Sequence, residues 1–260
     1  VSVVPTLVLY SRVLSSAFGM LKPIGQEKAL LTLGVLAGQL IVLVFGLFYL
    51  VSTFYFSSDL EYLLSLPLKP SQIILSKFAV VLINEYLTMA PIILPVLIVY
   101  GFKRQGGAAY WLMMPVVYFL LPVIPLAVSG LGVIGMMRLV NIGRKKDLLI
   151  IVGSLILIAG ALVLQLGLSR TSASPGMNAQ KLITLLSSSD GLVEQVGRRF
   201  PPSIWATRTL HDGLFTSAGL AGFVLFAGLS FALFAGLMAG AQRLFLGGLV
   251  GLSERSGAPA

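Results

Sequence analysis

Residues 29–56 run for two dozen positions and more without one charged side chain. Crossing about 30 Å of hydrocarbon takes roughly 20 predominantly apolar residues, so this block alone is long enough to span a bilayer. Comparable blocks recur at 73–100, 108–137, 148–168 and 214–249. Inside a bilayer every backbone N–H and C=O must be paired within the protein, which leaves helices as the simplest solution for runs of this length. The expected fold is therefore all-α: a polytopic transmembrane helical bundle of about five full spans, forming one transmembrane domain over 1–260. The run Val1–Tyr10 reads as the tail of a partial N-terminal span, with 1–28 taken as that partial span plus a loop. The chain opens on valine inside this run, so it reads as a fragment.

Composition agrees. Hydrophobic residues make up 57% of the chain and charged residues 10%, where soluble proteins carry about 25% charged residues. Mean hydropathy is +0.98. The net charge is +9, but the basic residues are scattered among inter-span loops, where anionic lipid headgroups attract them. No basic stripe is interleaved with aromatics, so the expected partner is the lipid bilayer and not nucleic acid. There is no cysteine and one histidine, His211, which excludes disulfides, thiolate sites and His-rich metal sites. No metal and no cofactor is expected. No basic segment and cleavage site precede the first apolar run, so it is not a signal peptide.

The segments between the blocks carry the punctuation. In 57–72, Ser58 and Glu61 have capping-box spacing, and Pro67 and Pro70 then stop the helix because proline lacks the donor. A short interfacial elbow helix is expected there, either solvated or docking a partner. Pro115, Pro122 and Pro125 fall in the third block, so that span should be kinked or divided. Residues 138–147 form a basic loop with Arg144, Lys145 and Lys146. Residues 169–213 read as a long external segment that includes His211 in a polar loop, and 250–260 as a tail. If the elbow, the basic loop and the C-terminus share the cytoplasmic side, the raw Lys/Arg count does not favour that orientation. Only the density of charge in 138–147 does.

Two intramembrane features stand out. Glu85 is the acid set well inside a span, and it lies next to Asn84. An ionisable group at that depth faces a partner or water. It is either a substrate or proton site or a structural pair, supported by Asn84 or by Lys77. Gly34 and Gly38 form a small-xxx-small pair. Gly228, Ala232, Gly236 and Gly240 lie four apart on one helix face, a pattern that lets backbones approach. Searches for an engine are negative: there is no G-x-x-x-x-G-K-[ST] loop, no H-E-x-x-H and no G-x-S-x-G. On that ground the chain is expected not to be an enzyme and to have no catalytic residue.

The stretch FYFSSDLEYLLSLPLKPSQIILSKF (residues 54–78) resembles a signature of bacterial ABC-2-like exporter permeases of the Gram-positive type. Glu85-Tyr86, Leu94–Gly101, Leu121–Leu126, Lys146-Asp147 and Phe200–Ala206 match further family stretches in order. The resemblance implies a multi-pass permease subunit in the bacterial cell membrane, apparently one half of the usual chain. It would be energised in trans by a cytoplasmic ABC ATP-binding subunit, itself a dimer, and joined by a second permease half or a homodimer mate. It also implies that the elbow couples to the ATPase through Asp59, Glu61 and Lys69. The alternative reading is a non-transporting scaffold or sensor subunit that anchors an ATPase. The cargo is not legible.

Overall fold

The computed structural model describes residues 3–55, 70–139 and 200–256. Every regular element among them is helical. Helix α1 spans Val3–Leu21 and leads through a 3-10 turn at Lys22–Ile24 into α2, Glu27–Tyr55. Helix α3 is Pro70–Arg104, α4 is Ala108–Leu120 and α5 is Val123–Leu139. Helix α6, Pro201–Asp212, and helix α7, Ser217–Ser256, follow. Among the described residues, five stretches are long and apolar enough to cross a membrane: Val4–Ile24, Glu27–Thr53, Leu75–Arg104, Ala108–Val133 and Ser217–Gly240.

The N-terminal segment differs from its sequence reading. The helix does not end with the apolar run at Tyr10: it runs on past Arg12, and the 21-residue stretch Val4–Ile24 is of membrane-crossing length. One arginine in a long apolar helix does not stop it, because the side chain can extend along its own stem toward a polar region. Helix α1 ends where Pro23 enters the 3-10 turn. Gly25 then takes φ +67°, and its N–H closes on the Lys22 carbonyl at 3.0 Å.

The prolines act unequally. Helix α3 continues through Pro91 and Pro95. The third block divides at Leu121–Pro122 into α4 and α5, with the Leu121 N–H held by the Val117 carbonyl at 2.9 Å. Pro125 sits in the first turn of α5, where its missing N–H would have had no partner in any case.

Helix α2 is the hub. Its buried stripe is Thr32, Val35, Gln39, Val42 and Leu50, at the three- and four-residue spacing of one helix face. Gly34, Gly38 and Gly46 set how closely its neighbours approach. A Cβ on Gly34 would lie 2.6 Å from Val96 Cγ1, and one on Gly38 would lie 2.3 Å from Ile93 Cδ1. At Gly46 the nearest atom would be Leu126 Cδ2 of α5, at 2.5 Å. The descending partners Val96, Ile93 and, beside Gly46, Glu85 show that α2 and α3 run antiparallel. The small-residue pair at Gly34 and Gly38 thus brings α2 and α3 together, a contact driven by packing where lipid removes the hydrophobic incentive.

The elbow of 57–72 lies almost wholly outside the described residues, as do Asp59, Glu61 and Lys69. So do all but the first two residues of the 138–147 loop, the block 148–168 and residues 169–199.

Candidate functional site

Two buried polar sites lie along the seam that α2 shares with its neighbours. The first ties one end of the bundle together. Helix α6 begins with Pro201 and Pro202 in its first turn, a position that suits proline because the first N–H groups are unpaired anyway. The helix buries Ser203, Thr207 and Thr209 along with Ile204, Ala206 and Leu210. Thr207 donates to the Ser203 carbonyl at 2.9 Å, and its hydroxyl lies 3.0 Å from that of Thr32 on α2. Lys28, one turn earlier on α2, donates to Asp212 at 2.9 Å. Tyr100 of α3 has its hydroxyl 2.5 Å from His211 Nδ1, and the Arg104 guanidinium donates to the His211 carbonyl.

His211 is therefore not in a loop, as the sequence suggested, but in the last turn of a packed helix. Burial pulls its imidazole down to about 4, and the nearby Arg104 and Lys28 push the same way against the opposing pull of Asp212. A neutral ring accepting the Tyr100 proton at Nδ1 carries its own proton on Nε2, which faces Asp212 Oδ1 at 3.9 Å. Phe18 packs edge-on against Tyr100 with ring centroids 5.6 Å apart and closes the cluster from α1. Lys28 and Arg104 are both engaged, so neither stands free to meet an anion.

The second site lies well inside the membrane-capable stretch Leu75–Arg104. Glu85 on α3 is 0% exposed, and among the described residues neither carboxyl oxygen has a hydrogen-bond partner. The structural pairing expected with Asn84 or Lys77 does not occur. Asn84 is adjacent in sequence but turned about 100° around the helix, and it donates to the Val80 carbonyl of its own helix at 3.1 Å. What faces Glu85 is Gly46: a Cβ there would stand 3.6 Å from Oε1. Gln39, two turns before Gly46 on α2, is 1% exposed, and among the described residues both of its amide atoms are without a hydrogen-bond partner. Sequence reading passed over Gln39 because it carries no charge. Its signal was its phase: a lone amide in an uncharged block, seven residues from Thr32 and seven from Gly46.

The stripe on α7 lies elsewhere. Among the described residues nothing comes within 4 Å of a Cβ placed on Gly228 or Gly236, and Gly240 meets only Leu131 Cδ2 at 3.6 Å. Ala232 is exposed. The face therefore points away from the described bundle.

No curated protein and no solved structure matches the chain. A family model does, over residues 18–256, and its description is "Putative ATP-binding cassette". That description overturns three expectations. The chain is not identified as an ABC-2-like exporter permease. Neither the in-trans permease function nor the scaffold or sensor alternative stands. The expectation of a non-enzyme without ATP binding falls too, because the family is described by that binding. The error lay in equating one motif with one capacity. G-x-x-x-x-G-K-[ST] is one way to hold phosphates, whereas backbone N–H groups of other turns and helix N-termini also do so. The matched residues take in most of the chain, including α2 to α7, and the chain accordingly belongs to this ATP-binding cassette family.

Proposed function

We propose that this protein serves an ATP-binding-cassette transport system as a multi-pass protein of the cell membrane. On this reading ATP binding is part of what it does, and the bundle is the part that changes shape. The single observation that carries the reading is an overlap. The residues matched by the ATP-binding cassette model, 18–256, include four of the five membrane-capable stretches whole and the end of the first. Family membership and membrane embedding thus belong to the same part of the chain.

The seam between α2, α3 and α5 fits a moving part. Its close contacts are glycine against side chain, at Gly34, Gly38 and Gly46, and among the described residues the buried Gln39 and Glu85 have no hydrogen-bond partner to hold the helices in this arrangement. The Ser129 hydroxyl does join α5 to the Leu43 carbonyl of α2 at 3.2 Å, but a packed interface with few fixed polar bonds costs little to rearrange, which is what a two-state element needs. The break at Leu121–Pro122 supplies a point where α4 and α5 could turn relative to each other.

The protein reconstituted in lipid, with whatever chains accompany it from its own cells, would be exposed to a photoreactive ATP analogue. The peptides labelled would then be mapped. Labelling on this chain that ATP competes away is the expected result. Labelling confined to an accompanying chain, with none on this one, would sink the assignment of ATP binding to this protein.

A further inference from the structure

A carboxylate with no partner is unstable in an apolar interior, and the surroundings of Glu85 offer it none. From α2 it meets Gly46. The charged residues of α2, Glu27 and Lys28, lie at the far end of that helix, and its tyrosines are Tyr49 and Tyr55. From α5 come Leu126, packed on Gly46, and Ser129, whose hydroxyl is spent on the Leu43 carbonyl at 3.2 Å. Arg138 follows only near the end of α5. Helix α4 carries Tyr110 and Tyr118, which donate to the carbonyls of Leu97 and Tyr86. Helix α1 carries Arg12 and Tyr10, the latter on the Ile92 carbonyl. Helix α7 has no charge before Arg243. On α3 itself Tyr86 donates to the Phe119 carbonyl, and Lys77 lies about two turns away with interactions of its own.

Among the described residues no hydrogen-bond donor reaches either oxygen of Glu85. Burial of an acid without a partner favours its neutral form, because taking up a proton removes the charge that the apolar surroundings cannot solvate. We propose that Glu85 is a proton-binding site. With α2, α3 and α5 closed around it, the carboxylate has taken one proton from water and is buried as the neutral acid. When the three helices part, that proton returns to water and the carboxylate is hydrated. Gly46 is the second half of the site. A Cβ there would crowd Leu126 at 2.5 Å and stand in van der Waals contact with the carboxyl at 3.6 Å, so the glycine lets α5 pack closely beside the enclosed acid. Protonation of Glu85 is read on the resting protein and is independent of ATP use or cargo.

The full chain in lipid vesicles at neutral pH would be compared with Glu85→Gln by infrared spectroscopy. The carbonyl band of a protonated carboxylic acid, shifted in heavy water, is expected in the wild type and lost in the variant. Loss of carboxylate bands in place of that band would overturn the assignment. Should Glu85→Gln fail to fold, the wild type would be treated with dicyclohexylcarbodiimide, which modifies protonated carboxyls from the apolar phase. An adduct on Glu85 at neutral pH supports the site, and no adduct there overturns it.

Discussion

His211 carries the charge logic of the bundle end in one side chain. It lies between Tyr100, the Arg104 guanidinium and the Lys28–Asp212 pair, and the folded protein holds it neutral down to about 4. In the unfolded chain the ring returns to its ordinary value of 6.5. Between those values unfolding takes up a proton, so acid favours the unfolded state. Stability from this residue is whole above about pH 6.5 and falls as pH drops toward 4. Thermal unfolding in lipid discs at stepped pH should show that loss in the wild type and a shallower loss in His211→Gln. Parallel curves for the two proteins would show that the imidazole is not the group responsible. The residue itself was plain in the sequence as the one histidine. Its setting was not, because Tyr100 lies 111 positions away along the chain.

Elements meet here through absent side chains. Helix α2 approaches α3 closely because Gly34 and Gly38 face Val96 and Ile93. Ile93 is wholly buried, so it has little room to move aside from a new methyl. Overpacking of this kind costs about 1–3 kcal/mol. Gly38→Ala should therefore lower the unfolding midpoint clearly, whereas Gly228→Ala, which meets nothing among the described residues, should stay within about 0.5 kcal/mol of wild type. Equal effects of the two substitutions would contradict the α2–α3 contact. Both glycine patterns were visible as spacing. Spacing alone could not tell which one is buried, because a repeat of four marks a helix face but not the neighbour it meets. The same limit separated Asn84 from Glu85: adjacent letters point about 100° apart on a helix, and the second alone faces α2.

At the scale of the whole molecule, three turns gather at one end. The 3-10 turn after α1, the turn at Gln105 and the turn at Gly213 each contain a residue of positive φ: Gly25, Gln105 and Gly213. The bonds from Lys28 to Asp212 and from Arg104 to His211 bring them together. The chain has no cysteine, so single cysteines give a clean readout. Lys22→Cys, Gln105→Cys and Phe215→Cys should all react with a membrane-impermeant thiol reagent added from the same side of sealed vesicles. A position that reacts only from the opposite side would break the threading of α1 to α7. The family match belongs to this scale as well. The resemblance of short stretches suggested a permease powered by another protein, whereas the match to the chain as a whole is to an ATP-binding cassette family.

Sequence by itself determined that the chain is helical, with stretches long and apolar enough to suit a membrane. Those properties depend on local composition measured against a fixed hydrocarbon thickness, so each block can be judged alone. It also marked the third block as kinked or divided at one of Pro115, Pro122 and Pro125, because proline acts on its own helix. Only the tertiary structure decided that α6 is packed into the bundle and its histidine held neutral, that Gln39 is sealed beside no partner, and that Glu85 is enclosed against Gly46. Each of these depends on the rotation of one helix against another tens of residues away, and hydropathy carries no record of that rotation.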